Sequence, residues 1–170
     1  QLSGSGDGMR HVMVKICGLR SEEHVLAAAR AGADYVGFVM TRSRRQVTPD
    51  EARDLVRIVR SSPRRPHTVG VFSDEHAGEM CNIAAYCHLD LVQVSGRKTV
   101  EQLRDFAYPI IRVLHVGRGV TAPGLVDDIE RAGAVLHQRQ PIHLLDTYAD
   151  GMGGGTGKVF DWTIARAVSS

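Results

Sequence analysis

The strongest constraint on this chain is an alternation. From Val12 onward, short β-branched apolar runs take turns with amphipathic stretches, the signature of repeated βα units built around a parallel sheet. Strands are expected at Val12–Ile16, Asp34–Met40, His67–Phe72, Leu89–Val94, Ile110–Leu114 and Pro141–Asp146. Most of these are near-continuously apolar, as strands covered on both faces should be. The second helix has the clearest punctuation: Thr48-Pro49-Asp50-Glu51 supplies an N-cap, a proline at the first helical position and a capping-box glutamate. Its inner stripe is Ala52, Leu55, Val56 and Val59; the first helix repeats the spacing in Val25, Ala28, Ala29 and Gly32. Helices three and four are expected to start near Glu75 and Thr99, the fifth to run from about Ala122 to Ala132, and a sixth to start at about Asp161.

Units at this spacing suit a (β/α) barrel, although a complete eight-unit closure takes ~200 residues or more. The 170 residues here spell six units. Six parallel strands also suit an open doubly wound sheet, so periodicity leaves both architectures standing. Residues 1–8 (QLSGSGDG) are Gly/Ser-rich and read as a flexible leader, with one domain from residue 9 to residue 170.

Composition narrows the partners. With 43% apolar and 24% charged residues the chain is an ordinary globular one, and Lys plus Arg exceed Asp plus Glu by only 21 to 19. The arginines do not form a nucleic-acid footprint, so a small anion is the expected partner and nucleic acid is not. Three cysteines, irregularly spaced, make no disulfide framework or zinc pattern, which fits a reducing cytoplasm. No stretch approaches the roughly 20 apolar residues of a membrane span.

Reactive groups of parallel α/β folds collect at the carboxyl ends of the strands. Cys17, in Lys15-Ile16-Cys17-Gly18-Leu19, and Asp146, in Leu144-Leu145-Asp146, both stand at such ends and would make an acid–base pair. Against this, a free cysteine is commonly a buried structural thiol and an aspartate commonly caps a turn. Cys81 and Cys87, among apolar helical neighbours, read as structural. Arg45, just beyond the second strand, could carry its planar fork over the same mouth to meet a carboxylate. Gly153-Gly154-Gly155-Thr156-Gly157 could cradle an anion on bare backbone N–H groups. It is not a Walker A loop, since Met152 and Val159 occupy the obligatory positions, and Lys158 breaks GxGxxG. The eight histidines show no HxH or HExxH spacing, so no metal is expected.

Taken in order, KICGL at 15–19, AGADYVGFV at 31–39, SRRQV at 43–47, VGVF at 69–72, VQVSG at 92–96, LLD at 144–146 and GGTGKVFDW at 154–162 resemble the phosphoribosylanthranilate isomerases of tryptophan biosynthesis. The resemblance implies a (β/α)8 TIM-barrel fold, of which this chain holds about six units. It also implies an Amadori rearrangement of a small phosphorylated substrate without metal or organic cofactor, in a cytoplasmic monomer or homodimer. By the same resemblance Cys17 corresponds to the general base, Asp146 to the general acid and Arg45 to the arginine that holds the anthranilate moiety. Gly154 and Gly155 correspond to substrate-binding glycines.

The sequence also departs from the family. Nothing after Trp162 matches the seventh and eighth βα units, whose loops normally build a phosphate site in such barrels. Residues beyond Ser170, a truncation, or a partner chain supplying the missing quarter by a route such as domain swapping would each explain this. The first is preferred, because Ile164–Val168 reads as a helix start with no stop. Ser95 stands where the family has histidine, His115 stands where it often has Lys-Ala, and Arg44 competes with Arg45 for the arginine role. The alternative to an isomerase is a catalytically inactive barrel fragment that acts through assembly with a partner subunit.

Overall fold

The structure is a computed structural model that describes residues 12–117, 119–136, 141–147 and 161–168. Its strands are β1 (Lys15–Cys17), β2 (Tyr35–Val39), β3 (His67–Phe72), β4 (Leu91–Val94), β5 (Ile110–Val116) and β6 (Ile142–Thr147). The helices are α1 (Glu22–Arg30), α2 (Pro49–Ser61), α3 (Ala77–Cys87), α4 (Ala122–Val135) and α5 (Trp162–Val168). All strand pairs are parallel, and the strands lie side by side in chain order, β1 to β6. A doubly wound sheet needs a point where strand order reverses. None occurs here, so the six units are part of a barrel wall and not an open two-sided sheet.

Strand alternation then sorts every side chain. Ile16, Val36, Phe38, Phe72, Val92, Val94 and Ile110 point outward and join Val25, Ala28, Leu55, Val56, Val59, Met80 and Ala84 of the helices in the main core. On the concave side Val69, Leu91 and Ile111 form a smaller inner cluster with Tyr35 packed against it. Leu114, Val116 and Leu125 make a third cluster under α4, with Ile164 and Val168 of α5 against it.

The α2 punctuation forms as expected. Thr48 Oγ1 accepts from the Glu51 N–H at 3.2 Å while Glu51 Oε2 accepts from the Thr48 N–H at 2.7 Å. Ala52, Leu55, Val56 and Val59 are its buried stripe. Gly32 is a correction. It does not extend the α1 stripe but lies past the helix end at φ +88°. There the N–H groups of Gly32 and Ala33 return to the carbonyls of Ala29 and Ala28, a closure that needs a left-handed residue.

Three other expectations shift. The first strand begins later than expected, at Lys15, because β2 starts at Tyr35 and Val14 meets only its approach. The Val14 carbonyl accepts from Asp34 and Tyr35, and its N–H donates to Asp34 Oδ2. The helix expected near Thr99 shrinks to one 3-10 turn, Glu101–Leu103. Val100, Leu103 and Phe106 anchor that short connection in the core, and Pro109 keeps the residue before it from helical geometry. Conversely the fifth expected helix runs on to Val135, because Thr121 caps it and Pro123 falls in its first turn, where no N–H is needed. The Gly/Ser-rich leader and the Gly153–Gly157 run lie outside the described residues.

Candidate active site

Register places the candidate residues. Cys17 pairs with Gly37, Gly37 with Val69, and Val69 with Leu91. Gln93, two residues along β4, shares the Leu91 face and pairs with Ile111, and four positions further along β5, on the same face, His115 pairs with Asp146. Cys17, Gln93, His115 and Asp146 therefore all belong to the concave face, and all lie toward the carboxyl ends of their strands.

Cys17 is the last residue of β1 and is half-buried. Its thiol lies across Gly37: a Cβ there would come within 2.8 Å of Cys17 Sγ and 3.2 Å of Lys15 Nζ. An ammonium and a sulfur thus share the space above one glycine. Immediately after Cys17 the chain turns through Gly18 at φ +83°, and the N–H groups of Gly18 and Leu19 both donate to the Gly37 carbonyl, at 2.8 and 3.1 Å. That turn clears room for Arg45, whose Nη1 donates to the Cys17 carbonyl at 3.3 Å. A Cβ on Gly18 would lie 2.7 Å from that same nitrogen.

The loop carrying Arg45 is fixed locally. Ser43 Oγ accepts from the Arg45 N–H at 2.9 Å, Gln46 Nε2 donates to the Met40 carbonyl at 3.0 Å, and Val47 N–H donates to the Val39 carbonyl at 2.9 Å. Arg44 takes another part: its carbonyl accepts from Arg20 Nη1 at 3.1 Å, tying this loop to the one after β1. The arginine side chain at the Cys17 rim is that of Arg45.

On the far side Asp146 is half-buried beside His115. His115 Nε2 is 2.8 Å from the Ser95 carbonyl, and Gln93 Nε2 donates to Ser95 Oγ at 3.0 Å. Gln93 Oε1 is buried with no hydrogen-bond partner among the described residues. It is an acceptor on the concave face, between the thiol and the carboxyl. Sequence reasoning missed Gln93 and Lys15 as site residues. Their signal is parity alone: Lys15 lies two positions before Cys17, and Gln93 two before Ser95.

The structural assignment of the other two thiols holds for Cys87. It is buried in α3, its Sγ donates to the Pro49 carbonyl at 3.2 Å, and burial, reinforced by the Asp50 carboxylate, pushes the thiol up to about 11. Gly154 and Gly155 lie outside the described residues. Among the described residues no group of three or more His, Cys, Asp or Glu could hold a metal ion, and no helix is long and apolar enough to cross a membrane.

The family described as N-(5'phosphoribosyl)anthranilate (PRA) isomerase matches residues 14–170. The N-(5'-phosphoribosyl)anthranilate isomerase of Dehalococcoides mccartyi is 39% identical over 158 residues, which are 93% of this chain and 72% of that protein. Two structures of the phosphoribosyl anthranilate isomerase of Thermotoga maritima superpose with TM-scores of 0.69 and 0.67 at 35% and 33% identity. They cover 91% and 92% of this chain and 70% and 69% of those chains, and the second is of monomers generated from the dimeric protein. A phosphoribosyl anthranilate isomerase in complex with reduced 1-(o-carboxyphenylamino)-1-deoxyribulose 5-phosphate superposes with a TM-score of 0.63 at 35% identity, over 81% of this chain and 66% of that one. An ordered match over nearly the whole described barrel wall settles the kinship: this chain belongs to the N-(5'-phosphoribosyl)anthranilate isomerase family.

Proposed function

We propose that this chain converts N-(5'-phosphoribosyl)anthranilate to 1-(2-carboxyphenylamino)-1-deoxyribulose 5-phosphate, with Cys17 as general base and Asp146 as general acid. The observation that carries the reading is the shared concave face and strand-end position of these two residues, on the first and sixth strands. The protonated Asp146 carboxyl donates to the ribose ring oxygen as the bond from that oxygen to C1′ breaks. The lone pair of the anthranilate nitrogen forms the C=N bond of the Schiff base. The Cys17 thiolate then takes the proton from C2′, the electrons of that bond make the C1′–C2′ double bond, and the C=N electrons return to nitrogen. Tautomerisation of the enolamine gives the ketone. No net redox change occurs, so the chemistry asks only for one ionised and one protonated group.

Arg45 meets the anthranilate carboxylate, for which a planar guanidinium is suited, and Gly154 and Gly155 contribute to substrate binding through their backbone. The substrate is a small phosphorylated molecule and the enzyme works as a cytoplasmic monomer or homodimer. The test is direct: purified chain is given the substrate and the product is resolved by chromatography. Formation of the carboxyphenylamino product supports the reading; a folded protein that leaves the substrate unchanged contradicts it.

A specific observation favours a second reading, a fragment that works by assembly. Ile142 and Leu144, on the concave face of β6, are 39% and 40% exposed, which is unusual for the inward positions of a barrel strand. If a partner covers them, activity appears only on mixing with that partner. Turnover by the chain alone removes this reading.

A further inference from the structure

One charged side chain on the concave face has no part in the acid–base chemistry: Lys15. It stands two residues before Cys17 on β1, so both side chains project from the concave side. Its register partner is Tyr35, yet its ammonium does not stay at that level. Nζ reaches Gly37, the partner of Cys17, where a Cβ would stand 3.2 Å from it and 2.8 Å from Cys17 Sγ. The lysine therefore runs along the strand toward its carboxyl end, which is the end that carries the thiol.

Charge, freedom and space set this lysine apart. The inward positions of the described strands hold no other lysine or arginine, since Arg112 of β5 pairs with the outward Val94 and His143. Lys15 is half-buried and has no hydrogen-bond or ion-pair partner among the described residues. Its three N–H donors are thus available to an acceptor that a ligand brings. Gly37 has no side chain, so nothing from that position stands between nitrogen and sulfur. The two atoms are at most about 6 Å apart, 2.8 and 3.2 Å laid end to end. That span admits a carbon about 3–3.5 Å from the sulfur whose oxygen meets the nitrogen at about 3 Å.

The reaction names the ligand atom. Cys17 takes the proton from C2′, and C2′ also carries a hydroxyl group. A carbon that presents its hydrogen to Sγ holds its oxygen one bond away, within reach of Nζ. We propose that Lys15 Nζ donates a hydrogen bond to the C2′ oxygen of the opened sugar and so turns the C2′–H bond toward Cys17. This contact rests on the acid–base reading above and adds a substrate-binding residue to it. A charged donor makes a stronger hydrogen bond than a neutral one, and a misplacement of about 1 Å costs about 100-fold in rate.

Isothermal titration of the full chain with two unreactive ligands tests the contact apart from turnover. One is reduced 1-(2-carboxyphenylamino)-1-deoxyribulose 5-phosphate, which keeps an oxygen on C2′; the other is its counterpart without that oxygen. In the unaltered chain the C2′ oxygen is expected to tighten binding by about tenfold or more. In Lys15→Met that advantage should vanish, while the ligand without the oxygen binds as it does to the unaltered chain. Equal binding of the two ligands to the unaltered chain overturns the proposal, and this comparison needs no variant should Lys15→Met fail to fold. A preference for the C2′ oxygen that persists in folded Lys15→Met overturns it as well. Because the contact forms with the opened sugar, kcat of Lys15→Met should fall by about 100-fold with little change in KM. Unchanged kcat in the folded variant is a third result that overturns it. Failure of the unaltered chain to bind either ligand removes the acid–base reading and this contact together, whereas the three results above remove the contact alone.

Discussion

Cys17 and Gly37 are register partners on β1 and β2, and the thiol of one occupies the place where a side chain of the other would stand. The glycine is thus part of how the sulfur is held. Gly37→Ala puts a Cβ within 2.8 Å of Sγ at a buried strand position and must push the thiol aside. Turnover is expected to fall by about 100-fold, since a displacement of about 1 Å has that effect on a positioned group. Steady-state kinetics on the folded variant checks this, and unchanged kcat would show that the sulfur position is immaterial.

Gly18 carries a different load. Its φ of +83° is a conformation that side chains resist, and a Cβ would lie 2.7 to 3.0 Å from three atoms of the Arg45 side chain. Gly18→Ala should cost about 1–2 kcal/mol in unfolding free energy from backbone strain alone. It should also raise KM by displacing Arg45. Urea denaturation read beside the kinetics separates the two effects, and Arg45→Met is expected to reproduce the KM change without the backbone strain.

The α2 cap predicts a purely structural effect. Thr48→Ala removes the hydroxyl that accepts from the Glu51 N–H and should lower stability by about 1 kcal/mol while leaving kcat intact. Denaturant unfolding measures the first and the steady-state assay the second.

His143 supplies a pH dependence. Burial, then the neighbouring Arg112 guanidinium, hold its imidazolium below the ordinary 6.5, against an opposing pull from Asp128. The unfolded chain therefore binds this proton more readily than the folded one. The stability contributed by neutral His143 is complete above pH 6.5 and is lost as the pH falls below that value toward the folded pKa. Thermal melts of His143→Phe between about pH 7 and about pH 5 should show a shallower decline in Tm than the unaltered protein. An identical slope would remove His143 from the acid response.

Much of the wall was legible because its signals are local. The α2 capping box, its apolar stripe and the third strand need only neighbouring residues, and they form where sequence places them. Gly32 misled because alanines and glycine match a helical stripe as well as a helix ending; only the return hydrogen bonds distinguish the two. The 3-10 turn after β4 was hidden for a related reason, since Thr99 is a good cap residue while the burial of Val100, Leu103 and Phe106 that fixes the short path is tertiary. Within the candidate site, Cys17, Arg45 and Asp146 are nominated by strand-end position and motif. Gln93 and Lys15 were overlooked, because their claim rests on alternation across paired strands, which one strand read alone does not reveal.

The central claim is that one sulfur on β1 and one carboxyl on β6 act on a single sugar. The most direct measurement is kcat for Cys17→Ala and Asp146→Asn, each shown to be folded, with N-(5'-phosphoribosyl)anthranilate as substrate. Both should fall by roughly 100-fold to 10,000-fold, the range of a lost general acid or base. Near-normal turnover in either folded variant would contradict the account and remove that residue from the reaction.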